Sequence, residues 1–231
     1  MSLIEATLQA FALLWQGDPE TWDIVLVSLR VSFIALLLVT PLAIVAGFGL
    51  ATQKFPGRRA LIILVQTLLS LPTVVVGLVV YLLLTRNGPM GDYQLLFTQE
   101  GMILGQAALA FPILTAMTLT AVQGVDSRVS ETARTLGATP LRAALTVLTE
   151  ARFAVMAAIA TGFGRVLSEI GCAMMVGGNI AGVTRNITTA IALETSKGEF
   201  AQGIALGIVL VMLALTVNFG IAFLQGKGEI R

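Results

Sequence analysis

Two charged residues, Arg165 and Glu169, interrupt an otherwise apolar run over about 153–176. On a helix, residues four apart share a face and differ by about 6 Å along the axis. That spacing suits an ion pair, which neutralises both charges. Alone in a bilayer each would cost about 2.5–3.5 kcal/mol on insertion scales. Neither lies close enough to a helix end to snorkel easily, so both are expected to face a protein interior or a pore. Other chemistry is scarce. The chain has no histidine and one cysteine, Cys172, which excludes a His/Cys zinc site and a disulfide scaffold. No metal ligand set, catalytic residue or cofactor site is expected, and Cys172, Met174 and Met175 read as packing residues.

The elements that position the pair follow from composition. Of 231 residues, 56% are apolar and 12% charged, with net charge +1 and mean hydropathy +0.91. A soluble domain of this length would need far more polar surface. A disordered chain and a basic nucleic-acid binder are excluded on the same grounds. What remains is an all-α polytopic membrane protein with a single domain over 1–231.

A bilayer core of about 30 Å needs about 20 mostly apolar helical residues. Charge-free stretches run over 31–53, 61–85, 101–125 and 201–226. With the run that holds Arg165 and Glu169, they predict five transmembrane helices near 24–51, 60–84, 102–123, 153–176 and 203–225. Residues 1–16 lack a basic n-region and a small-residue cleavage site, so no signal peptide is expected. Leu3, Leu8, Phe11 and Trp15 instead predict a short amphipathic helix. Pro41, Pro72 and Pro112 fall within spans, where each removes a backbone hydrogen bond. Small residues such as those over 157–164 permit close helix contact.

Lysine and arginine set the expected orientation. Lys54, Arg58, Arg59, Arg128, Arg134, Arg142, Arg152, Lys227 and Arg231 fall on one side, against Arg86, Arg185 and Lys197 on the other. Arg30 and Arg165 lie within spans. The N-terminus is therefore expected outside and the C-terminus in the cytoplasm.

The cytoplasmic loop 126–152 is polar yet reads as helical. Ser130 is a candidate N-cap with Glu131 in the first turn. Gly137 suits a left-handed helix end, and Pro140 suits the start of a second helix. An ordinary solvated loop is the competing reading.

The run from Ser130 to Leu141 resembles the "EAA" loop of ATP-binding-cassette (ABC) importer permeases. Glu131, Ala133 and Gly137 match the loop's Glu-Ala-Ala start and its glycine, and Thr132 replaces the first alanine. The family's closing Leu-Pro pair is absent from Leu148-Thr149-Glu150-Ala151-Arg152. Within the family the chain resembles oxyanion permeases. Leu84-Thr85-Arg86-Asn87-Gly88-Pro89-Met90-Gly91 and Leu71-Pro72-Thr73-Val74-Val75-Val76-Gly77 look like molybdate-permease segments. The run from Gly164 to Gly171 resembles an element of sulfate and molybdate permeases. Met174-Met175-Val176-Gly177-Gly178-Asn179-Ile180, Ser168-Glu169 and Glu150-Ala151-Arg152-Phe153 look more like tungstate-type permeases.

The resemblance implies a type I importer permease without an ATPase site of its own, in a prokaryotic inner membrane. Glu131, Thr132, Ala133 and Gly137 would belong to the coupling helix that docks on a separate ABC ATPase. An extracytoplasmic oxyanion-binding protein and a second copy of the chain would complete the machine. No Gly-x-x-x-x-Gly-Lys-Ser/Thr phosphate loop is present. Tungstate is the first substrate expectation, and molybdate or sulfate the second. An ion-coupled secondary transporter and a membrane scaffold are the readings from other classes. Three readings of Arg165 and Glu169 stay open: a structural pair, a gate, or direct oxyanion coordination by Arg165. Gly177, Gly178 and Asn179 read either as a helix stop or as an anion nest. Arg185, Asn186, Glu194, Lys197 and Glu199, in the outer loop, are candidate contacts for the binding protein.

Overall fold

The computed structural model describes residues 17–225 together with Glu5, Thr7, Leu8, Ala12 and Trp15. Leu3 and Phe11 of the expected amphipathic helix, and Lys227 and Arg231 of the tail, lie outside the described residues. Leu8 and Trp15 are helical and exposed. No strand occurs among the described residues.

Helix α1 (Pro19–Thr52) begins where Asp18 caps it and Pro19 occupies its first turn. The Asp18 carboxylate accepts from the Thr21 hydroxyl at 2.8 Å and the Thr21 amide at 3.0 Å. Both bonds hold its carboxyl below the ordinary carboxylate value, the hydroxyl most strongly. At 34 residues α1 is about 51 Å long, well beyond one bilayer core.

Helices α2 (Arg58–Leu69) and α3 (Thr73–Leu84) occupy the predicted 60–84 span, but they form an elbow bent by 102°. Pro72 explains the break, because it has no N–H and disfavours helical backbone at Leu71. Helix α4 (Gln99–Gln123) is capped by Thr98 and packs along α1. Gly47 makes that closeness possible. A Cβ there would lie 2.6 Å from the Thr115 carbonyl oxygen and 2.7 Å from Thr118 Cβ.

The polar loop folds as α5 (Ser127–Thr135) and α6 (Pro140–Glu150). Helix α7 (Arg152–Leu167) follows α6 at a 64° bend. The predicted 153–176 span is therefore not one helix. It breaks at Ser168–Ile170, and α8 (Gly171–Gly177) continues separately against α3 and α4. Helix α9 (Ile187–Lys197) has an Asn186 capping box closed by Thr189, and α10 (Phe200–Gln225) packs on α9 and α7.

Three described helices are long and apolar enough to cross a membrane, and two bent pairs raise the number to as many as five. The main core joins α1, α4 and α7 through Leu36, Val39, Ala110, Leu114 and Phe163. Outward rows such as Leu26, Phe33 and Leu37 on α1, and Met212, Leu215 and Phe219 on α10, are exposed. In water such rows would be a liability; against lipid they are the expected surface.

Candidate functional site

Arg165 lies in the last turn of α7, where a cation complements the helix's negative end. Its Nη1 is 3.6 Å from Glu169 Oε2. The two side chains differ sharply in environment: Arg165 is 53% exposed and Glu169 3%. The spacing predicts one helix for both residues, but the helix that carries Arg165 ends at Leu167. Glu169 stands in the break before α8, where its Oε1 accepts from the Cys172 amide at 3.2 Å. The carboxylate thus satisfies an orphan donor at the start of α8. Its backbone carbonyl accepts from the Thr188 hydroxyl at 2.7 Å.

Both residues line a cavity of about 280 Å³. Its other walls include Leu71 and Thr73 at the α2–α3 elbow, and Pro112 in α4. Two helix interruptions and a proline therefore meet around one half-exposed guanidinium. Such elements have few internal hydrogen bonds to lose when they bend. The arrangement can close a passage, and its cationic head can meet an anion or a carboxylate.

The second part of the site is the polar elbow. Sequence reasoning places its N-cap at Ser130; the structure places it at Asp126, whose Oδ1 accepts from the Arg128 amide at 2.9 Å. Asp126 follows the end of α4 closely enough to start the helix a turn earlier. Glu131 therefore sits at mid-helix, exposed beside Thr132, with Ala133 half-buried.

Gly137 ends α5 with φ +86°. The Gly137 amide donates to the Arg134 carbonyl and the Ala138 amide to the Ala133 carbonyl, both at 3.0 Å. This is a Schellman closure, which favours glycine at that position. Pro140 then opens α6 under a Thr139 cap. Val122, Val147, Ala151 and Val155 pack together and fix the elbow to the spans.

Leu136 and Leu141 flank the turn at 83% and 72% exposed. The sequence alone assigns neither leucine a role. Their signal is two leucines bracketing the turn of a polar loop.

Gly177, Gly178 and Asn179 end α8, with φ +69° at Gly178 and +53° at Asn179. Two of the turn's amides are already spent: Gly178 donates to the Met174 carbonyl and Ile180 to Thr184 Oγ1. A Cβ on Gly178 would lie 2.7 Å from Phe97 Cδ1. These contacts fit a helix stop against a neighbouring loop.

Among the outer-loop candidates, Asn186 and Glu194 turn inward. Asn186 caps α9, and Glu194 is buried with Lys197 Nζ at 2.9 Å from its Oε1. Arg185 pairs with Glu20 at 3.2 Å, and Glu199 is exposed.

With this geometry established, the comparisons define the class. Residues 23–226 match the family described as binding-protein-dependent transport system inner membrane component, and the chain belongs to that family. It is thus a multi-pass membrane permease of the ABC importer class. The chain is 41% identical over 211 residues to the tungstate uptake system permease protein TupB of Campylobacter jejuni, covering 91% of this chain and 88% of that protein. It is 36% identical over 223 residues to TupB of Peptoclostridium acidaminophilum, covering 96% and 98%. A solved bacterial alginate ABC transporter, in complex with an alginate pentasaccharide-bound periplasmic protein, superposes with a TM-score of 0.71. That match covers 94% of this chain and 82% of the other at 17% identity, and it shows the shared type I permease fold.

Proposed function

We propose that this chain is the permease subunit of an ATP-driven tungstate importer, in which two copies form the pathway. The observation that carries the substrate is the 41% identity to a tungstate permease across 91% of the chain. The pathway reading rests on the cavity where Arg165 and Glu169 meet the α2–α3 elbow. There the pair acts as a gate: Arg165 exchanges its carboxylate partner between states, and Glu169 holds the start of α8. Selectivity belongs to the binding protein, since a dianion would meet repulsion at Glu169 and tight binding in a pore slows release.

ATP is hydrolysed by a partner subunit. The α5–α6 elbow, with Glu131, Thr132, Ala133 and Gly137 around the turn, is the docking element for that subunit, anchored by Leu136 and Leu141. Its rigidity supports the reading, because a floppy loop would dissipate the force. The elbow faces the cytoplasm with the C-terminus, and the N-terminus lies outside, as the excess of basic residues near the elbow indicates.

The test is ATP hydrolysis by the assembled complex. Stimulation by tungstate-loaded binding protein, and not by the sulfate-loaded form, is expected. Equal hydrolysis with both would remove the tungstate assignment.

A further inference from the structure

We infer that the face formed by α1, α7 and α10 binds a membrane phospholipid, with its phosphate on Arg30 and one acyl chain in the groove beside it. Two separate observations meet there. The first is a groove of about 630 Å³ whose lining contains no charged residue. Leu29, Phe33 and Leu37 supply the α1 wall, Ile159 and Phe163 the α7 wall, and Val217 the α10 wall.

The second observation is Arg30. It follows Leu29 directly and stands one turn from Phe33, toward the Pro19 end of α1. Its side chain is exposed, and no ion pair joins it to another described residue. The charge-free stretch 31–53 that follows would span about 35 Å as helix, enough to cross a hydrocarbon core of about 30 Å. Arg30 therefore stands near the outer end of the membrane-crossing part of α1, from which its long side chain can snorkel to lipid phosphates.

No carboxylate on α1 is placed to answer it. Asp23 lies two turns away, about 10 Å along the axis, and Glu20 is engaged by Arg185 at 3.2 Å. A guanidinium presents a planar fork of donors that matches a phosphate bidentately. The groove's lining on α1 begins at Leu29, the residue before Arg30 in the chain, and continues to Pro41, which is the direction an acyl chain takes toward the bilayer centre. A chain lying in it supplies the van der Waals contacts that the three helices leave unmade. No residue of this groove lines the Arg165–Glu169 cavity, so the site is separate from the proposed pathway.

The test titrates phosphatidylglycerol into the detergent-purified complex of permease and ATPase, read by native mass spectrometry. Wild type is compared with Arg30→Gln, Arg30→Lys and Val217→Phe, the last of which fills the groove from a helix with little buried surface. The first lipid is expected to bind about tenfold more weakly to Arg30→Gln. Binding to Arg30→Lys should be intermediate, Val217→Phe should lose it with Arg30 intact, and excess tungstate should leave it in place. Unchanged lipid affinity in Arg30→Gln and Val217→Phe would overturn the proposal. So would displacement of the lipid by tungstate. Dissociation of permease copies in Arg30→Gln with lipid retained would also overturn it, by assigning Arg30 to a protein interface.

Discussion

The Thr188 hydroxyl donates to the backbone carbonyl of Glu169 at 2.7 Å, tying the break between α7 and α8 to the first turn of α9. The chain of bonds continues. Asn186 caps α9 by accepting from the Thr189 amide at 2.9 Å, and the Ile187 amide donates to Ser28 Oγ on α1 at 2.7 Å. A shift of α9 therefore reaches both α1 and the Arg165–Glu169 break through hydrogen bonds.

Thr188→Val keeps the shape and removes the donor, leaving a buried carbonyl orphaned. The expected cost is about 1–3 kcal/mol, seen as a lower unfolding temperature in detergent. Thr188→Ser should restore most of the loss. Equal melting of the valine and wild-type proteins would show that the bond carries no stability.

Arg165→Ala strands a carboxylate that is 3% exposed, with only the Cys172 amide left to it. The double variant Arg165→Ala with Glu169→Ala removes the charge as well. Folded yield by size exclusion is expected to be lower for the single variant than for the double. Equal yields would argue against a direct pair.

Gly47→Leu drives a side chain into the Thr115 carbonyl and Thr118 across the α1–α4 contact. Overpacking of this kind typically costs about 1–3 kcal/mol, again read as a fall in melting temperature. A stable Gly47→Leu protein would mean that α1 and α4 separate easily.

A Cβ on Gly137 would meet nothing within 4 Å, so only the φ of +86° restricts this position. Gly137→Ala is expected to cost about 1 kcal/mol, while Gly137→Pro, locked at negative φ, breaks the turn. Gly137→Pro and Glu131→Lys should insert normally and lose uptake relative to ATP hydrolysis. Normal uptake in both would remove the coupling role of the elbow.

Charge gaps made the spans legible, because a bilayer penalises charge wherever it falls. Gly137 and Pro140 marked their turn for a local reason: a left-handed residue and a missing N–H each leave a sequence signature. The break at Ser168–Ile170 had no such signature. It is stabilised by Thr188, 19 residues away, and by the Cys172 amide, and such pairings do not show in a local apolar pattern.

Asn186 and Glu194 misled for a related reason. A polar residue in an outer loop suggests a contact surface, yet Asn186 is spent on a helix cap and Glu194, itself buried, on the half-exposed Lys197. Arg30 was visible as a span arginine, but its unpaired state appears only once the neighbouring acids are placed.

The most direct test of the central claim is uptake into vesicles containing this chain and its ATPase, supplied with binding protein and with tungstate, molybdate and sulfate in competition. ATP-dependent uptake of tungstate ahead of the other two is the predicted result. Uptake that ignores ATP and follows an ion gradient would contradict the importer account and mark the chain as a secondary transporter.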